Sequence, residues 1–149
     1  MNTTPEKPGT YLIRKTSESW PARRNFALTC TMRSSDDDGI GLVFRYQDVD
    51  NFYFFLMDRQ RNYRRIGKKV GSVFQELDIP AFQAVPPGFE LNQDYRVSIA
   101  AVDDACVVCL DGVQILVGRD NSLNQPGRVG LYTWGNSGAE FLDLAIRPV

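Results

Sequence analysis

The 149-residue chain contains no histidine. That single absence removes the commonest general base, the usual partner of a nucleophile and the commonest metal ligand. Charge bias is missing too: 17 Lys and Arg stand against 18 Asp and Glu, a formal net charge of −1. No whole-molecule basic field for nucleic acid follows from that balance, and no nucleic-acid-binding motif accompanies it. No apolar run approaches the ~20 residues of a membrane-spanning helix, so no membrane span is expected. Cysteine is scarce and odd in number, with Cys30, Cys106 and Cys109 and no secretory signal peptide, so no disulfide framework is implied. Cys106 and Cys109 have the spacing of a redox pair, but residues three apart on a strand point to opposite faces. A second pair that would complete a zinc site is lacking, and buried, unpaired thiols are the expectation. Helical periodicity is absent, and nothing repeats at a fixed period, which disfavours propellers and solenoids.

What is present is strand pattern. At 43% hydrophobic and 23% charged, with 15 Phe and Tyr and two Trp, the composition suits one β-rich domain with a real core. Residues 1–9 hold two prolines and mixed charge and are expected to form a disordered lead or linker, with a single domain over 10–149. The abrupt start suggests one module of something longer. Apolar alternation predicts strands near 11–15, 26–33, 40–46, 52–57, 63–69, 72–77, 95–101, 106–110, 113–117, 128–134 and 140–147. Prolines at 80, 86 and 87 make residues 81–91 irregular or at most an edge strand. Asp111-Gly112 is the strongest hairpin signal, because a type I′ turn needs positive φ at both central positions. Residues 40–46 alternate, whereas 52–57 are apolar on both parities, so this second strand should be covered on both faces. Many short strands with turn signals every eight to twelve residues predict an all-β fold, a two-sheet antiparallel β-sandwich of jelly-roll type.

Three segments carry a resemblance. They are Asp36-Asp37-Asp38-Gly39-Ile40-Gly41-Leu42-Val43-Phe44-Arg45-Tyr46-Gln47 with Asn51-Phe52-Tyr53-Phe54; Tyr95-Arg96-Val97 leading to Val108-Cys109-Leu110-Asp111-Gly112; and Pro126-Gly127-Arg128-Val129-Gly130-Leu131-Tyr132 with Ala139-Glu140-Phe141-Leu142-Asp143-Leu144. In that order the chain resembles the concanavalin A-like lectin/glucanase superfamily, in particular laminin G-like domains and the carboxy-terminal lectin-like domain of thrombospondins. The resemblance implies a jelly roll that hosts sugar binders, glycosidases or protein-contact modules, so it points to a fold and leaves the ligand open. It also implies an extracellular or cell-surface setting, whereas free thiols suit the cytoplasm, and both compartments stay open.

The candidate sites follow from that frame. Retaining glycosidases of the superfamily place two carboxylates on one strand in a Glu-x-Asp-x-Glu type run, about 5 Å apart. The nearest match, Glu76-Leu77-Asp78, meets Pro80 where the second Glu should stand, so no enzyme is expected. Calcium is the candidate cofactor, because relatives hold an ion with oxygen ligands at the sandwich edge. Asp36, Asp37, Asp38, Asp48, Asp50, Asn51 and Asp143 occupy suitable turns, with Asp36, Asp38 and Asp143 the chosen ligands; equally, Asp and Asn are ordinary turn formers. For a sugar, aromatic rings should pack against C–H faces while planar polar groups fix hydroxyls, and Arg45, Tyr53, Arg65, Tyr132 and Trp134 converge if their shared parity is the ligand face. The same rings and guanidinium serve equally as core filler and ion-pair partner. Finally, Arg59, Arg61, Arg65 and Lys69 form a patch suited to an anionic ligand, or a solvated hairpin. The partner expected is a neutral or anionic glycan, bound by a non-catalytic module. The alternatives are a protein surface contacted without a sugar site and, more weakly, a glycoside hydrolase.

Overall fold

The computed structural model describes residues 9–76 and 86–149. Among them eleven strands form two antiparallel sheets, with no helix. The strands are β1 (Gly9–Ile13), β2 (Phe26–Ser34), β3 (Gly39–Asp48), β4 (Asn51–Asp58), β5 (Tyr63–Val70), β6 (Val73–Glu76), β7 (Tyr95–Val102), β8 (Ala105–Leu110), β9 (Val113–Arg119), β10 (Arg128–Trp134) and β11 (Ala139–Pro148). One sheet runs β1-β10-β3-β4-β5-β6 and the other β11-β2-β7-β8-β9. The expected all-β jelly-roll sandwich is therefore the observed architecture. Strand begins at Gly9, inside the segment expected to be a lead; the rest of that expectation, and the irregularity expected of 81–85, fall outside the described residues.

Alternation places the core. Phe26, Leu28, Cys30 and Met32 of β2, Val97 and Ile99 of β7 and Val108 of β8 meet Ile40, Leu42 and Phe44 of β3, Phe55 and Met57 of β4 and Ile66 of β5 between the sheets. Each of these is no more than 1% exposed, so the inter-sheet space is closed by side chains at alternate positions, as a sandwich requires. Cys106 lies in that core and Cys109 on the other face of β8, half-buried, so the two thiols diverge as strand geometry demands. Burial pushes Cys30 up to about 11 and Cys106 up to about 12, leaving both protonated. The Asp111-Gly112 turn has φ of 51° and 82°, as its residue types predict.

The β3–β4 hairpin carries the largest departure from regular pairing. Val43 pairs with Gly130 and Tyr46 with Arg128, so β3 spends three steps where β10 spends two. One extra residue makes a bulge, and Arg45 sits in it with φ of 46°. Beyond the bulge parity reverses: Phe44 faces the core, Tyr46 the opposite side. A Cβ on Gly127 would lie 2.4 Å from the carbonyl carbon of Arg45, so only glycine lets the neighbouring chain approach the bulge this closely.

Candidate functional site

The covering expected on both sides of residues 52–57 is real: every residue from 52 to 57 is at most 4% exposed. Tyr53, Phe55 and Met57 point into the inter-sheet core, while Phe52, Phe54 and Leu56 point away from it. On that outer face they join Val43 and Tyr132 in a second apolar cluster, flanked by Tyr11, Ile13, Tyr46, Tyr63 and Trp134. Strand parity assembles it, because β1, β10, β3, β4 and β5 lie side by side and each contributes alternate residues.

The rings are locked together. Tyr11 stacks on Tyr132 at 4.9 Å and meets Phe52 edge-on at the same distance. Tyr46 stacks on Phe52 at 5.8 Å, and Phe54 meets Tyr132 edge-on at 5.4 Å. Phe54 lies directly over Gly67, its cross-strand partner: a Cβ there would fall 2.4 Å from the ring. Phe74 of β6 closes the row, 54% exposed and 6.1 Å from Phe54.

Cations lie over this layer. Arg65 covers the Tyr63 ring at 4.8 Å, Arg128 covers Tyr46 at 5.1 Å and Arg61 covers Trp134 at 5.6 Å. Lys69 sits 5.2 Å from Phe74 and 6.0 Å from Phe52. Such stacking fixes a guanidinium's plane over the ring. Arg61 is further held by Asp58, which is fully buried and accepts its Nη1–H at 2.9 Å. Burial raises the pKa of Tyr11 and Tyr132, whose hydroxyls share a hydrogen bond, so both phenols stay neutral. The Trp134 Nε1–H is buried and has no hydrogen-bond acceptor. The centre of the layer is thus buried, and its partly exposed rim is made of Tyr11, Tyr46, Tyr63 and Trp134 with the cations beside them.

Of the five expected ligand contacts, Arg65, Tyr132 and Trp134 share this face; Arg45 and Tyr53 do not. Tyr53 pairs with Phe44 and therefore faces the core with it, its hydroxyl donating to Asp120 Oδ2 at 2.7 Å. The bulge turns Arg45 off the Val43 parity; it is 2% exposed, and its Nε–H donates to the Arg24 carbonyl at 2.8 Å. Within the expected patch, Arg61, Arg65 and Lys69 overlie the aromatic layer. Arg59 is drawn elsewhere, to Glu90 at 2.9 Å and the Phe89 carbonyl at 3.1 Å. Tyr11, Tyr46, Tyr63 and Arg128 were not expected. Tyr63 shares parity with Arg65 and was legible on that ground, whereas Tyr46 is displaced by the bulge.

Of the expected calcium ligands, Asp36 and Asp38 gather, and Asp143 stands apart from them. Asp36, Asp37 and Asp38 bring carboxylate oxygens within 4.8 Å of one another in the β2–β3 turn. Asp143 lies in a bulge of β11 beside Leu142, whose partner Thr31 is roughly 10 Å by strand rise from the end of β2 at Ser34, where the turn begins. The turn acids also have other work. Asp36 accepts the Asp38 N–H through Oδ1 and both the N–H and O–H of Ser137 through Oδ2, bonds that hold its pKa below the usual range. Asp38 has the Arg61 guanidinium 3.7 Å away. A hard cation in this turn would compete with those bonds for the carboxylate oxygens. Of the glycosidase run, Glu76 ends β6, and Leu77, Asp78 and Pro80 lie outside the described residues. No helix among the described residues is long and apolar enough to cross a membrane.

The chain matches no protein-family model and no curated protein. Its fold does match solved structures. The carbohydrate binding module CBM66 from Bacillus subtilis superposes with a TM-score of 0.78 at 17% identity, over 93% of this chain and 81% of that one. The homodimeric agglutinin CG-16 from chicken liver gives 0.66 at 12% identity, over 94% and 100%. The Caenorhabditis elegans galectin LEC-6 gives 0.63 at 9% identity, over 95% and 94%. At these identities the likeness establishes the jelly-roll sandwich.

Proposed function

We propose that this domain is a non-catalytic carbohydrate-recognition module that binds a glycan on the outer face of its six-stranded sheet. The observation that carries the proposal is the aromatic layer bordered by Arg61, Arg65, Lys69 and Arg128, with Tyr11, Tyr46, Tyr63 and Trp134 partly exposed around it. Sugar C–H faces pack on flat rings, and hydroxyls pair with fixed N–H donors. Two of the three structural relatives described carry carbohydrate binding module or galectin in their names, which supports the same role. The laminin G-like pattern of the three sequence segments is compatible with it. A hydrolase is disfavoured because Asp58, the buried acid on this face, is tied to Arg61 and is not placed as a free acid or base.

The ligand class follows from the side chains. Tyr63 and Trp134 supply stacking surface, while Arg65 and Lys69 take hydroxyls of a neutral sugar or the carboxylate or sulfate of an anionic one. An array of neutral and acidic glycans, probed with folded protein, tests the proposal. Binding that weakens in Trp134→Ala and Arg65→Ala is expected, and it should weaken with added salt only for acidic ligands. A folded sample that binds no glycan would overturn the proposal and leave protein contact as the reading.

A further inference from the structure

Five arginines each hold a carboxylate within 3.5 Å: Arg24 with Asp103, Arg33 with Asp94, Arg59 with Glu90, Arg61 with Asp58 and Arg119 with Asp104. Arg14, Arg23 and Arg128 hold none among the described residues. The fold gathers these three at the corner where β1 ends and β10 begins. Arg14 follows β1 and donates its backbone N–H to the Val129 carbonyl at 2.8 Å, one residue from Arg128 at the start of β10. Arg23 exchanges two backbone hydrogen bonds of 3.0 Å with Gly127, the residue before Arg128, and its Nε–H is buried without an acceptor among the described residues. Glu18, the one acid of residues 14–25, is exposed and makes no ion pair among the described residues.

This corner is aromatic as well as basic. Trp20 is fixed by a closed pair of backbone bonds with Ser17, at 3.1 and 3.2 Å, and packs against the core. Arg14 lies over its ring at 4.9 Å. Arg14, Trp20, Gly127 and Arg128 line a common depression of about 10 Å³, too small to enclose a ligand group, so a ligand here lies across its mouth. Arg128 joins the corner to the aromatic layer, because its guanidinium covers Tyr46 at 5.1 Å and Tyr46 stacks on Phe52.

Like charges gathered at one place are unfavourable, and a chain with 18 acids has the means to neutralise them, as it does for the other five arginines. A neutral sugar offers this corner nothing to offset the repulsion. A carboxylate or sulfate does, by pairing with the planar forks of Arg. Taking the proposed glycan face as the premise, we infer that its ligand is an acidic polysaccharide whose carboxylate or sulfate lies against Arg128, Arg14 and Arg23, with Trp20 as a further stacking surface.

Matched columns run with the intact domain decide it: heparin against its desulfated, carboxyl-reduced form, and polygalacturonate against its methyl ester. Retention on at least one acidic chain, lost on the neutralised form, is the expected result; heparin alone would assign sulfate and polygalacturonate alone carboxylate. Arg128→Gln and Arg14→Gln should each weaken that binding about five-fold and lower the salt needed for elution, since these pairs are near the surface and screened. Arg119→Gln makes the same change of charge at the edge of the five-stranded sheet and should leave both unchanged. Equal retention on acidic and neutralised chains would overturn the inference and leave the glycan reading standing, whereas binding to no glycan at all would overturn both. An equal loss from Arg119→Gln would reduce the binding to general ion exchange and overturn the inference as well.

Discussion

The outer face of the five-stranded sheet carries Thr29, Thr31, Ser98, Ala100 and Val107, all half-buried, while the outer face of the six-stranded sheet carries Phe52, Phe54, Tyr63, Tyr132 and Trp134. Both sheets use the same alternating apolar parity toward each other, so the shared core cannot explain the difference. The five-stranded sheet demonstrates that a jelly roll of this size needs no second aromatic layer to fold. Rings gathered on one surface and bordered by Arg61, Arg65 and Lys69 distinguish the proposed glycan face from its counterpart. The comparison therefore sets the proposed binding surface against a second surface of the same fold that lacks its rings.

Its largest test is energetic. Phe52 is fully buried on the outer face and touches Tyr11, Tyr46 and Phe54, so Phe52→Ala should cost about 3–5 kcal/mol in urea unfolding. Ser98→Ala, on the opposite outer face, should change stability by no more than about 0.5 kcal/mol. Equal costs would erase the distinction between the faces. Gly67→Ala is the next step down: the new methyl would press on the Phe54 ring, costing about 1–3 kcal/mol and altering the near-ultraviolet circular dichroism of the aromatic layer. An unchanged spectrum would mean that the layer is looser than its packing implies.

The sequence disclosed much of this contrast, and the reasons are local. Alternation in 26–32 and 95–101 located the inner faces, since period two is visible without knowing the partners. The doubly apolar run of 52–57 showed that one outer face must be covered as well. What stayed hidden was register. Tyr53 belongs to the core because it pairs with Phe44, a fact that lives in β3 and β4 jointly. The bulge at Arg45 was hidden for a further reason: arginine is no marker of positive φ, and the extra residue exists only relative to Gly130 and Arg128 on β10. So Arg65, Tyr132 and Trp134 were placed by parity alone, and Arg45 was misplaced by the same rule.

Binding should separate the faces again, by a smaller margin. Trp134→Ala removes a partly exposed ring from the rim of the proposed face, and a loss of about ten-fold in glycan affinity, near 1.4 kcal/mol, is expected by titration calorimetry. Arg96→Ala, on the outer face of the five-stranded sheet, should leave the affinity within about two-fold, since surface substitutions away from a site change little. A matching loss from Arg96→Ala would move the site to the other sheet.

The smallest expected effect concerns the Asp36–Asp38 turn, which lies at the rim of the glycan face through the contact of Asp38 with Arg61. Were calcium bound there, it would compete with that guanidinium and strip Asp36 of its bonds to Ser137 and Asp38, so the turn that positions Arg61 would rearrange. The turn already uses its acids otherwise: Asp36 accepts from Ser137 and the Asp38 N–H, and Arg61 is held chiefly by Asp58. Glycan affinity and Tm should accordingly be the same in millimolar calcium and in chelator, with Tm differing by less than about 1 °C. A rise of several degrees with calcium, abolished by Asp36→Asn, would instead make the turn a metal site and tie recognition on the six-stranded sheet to it.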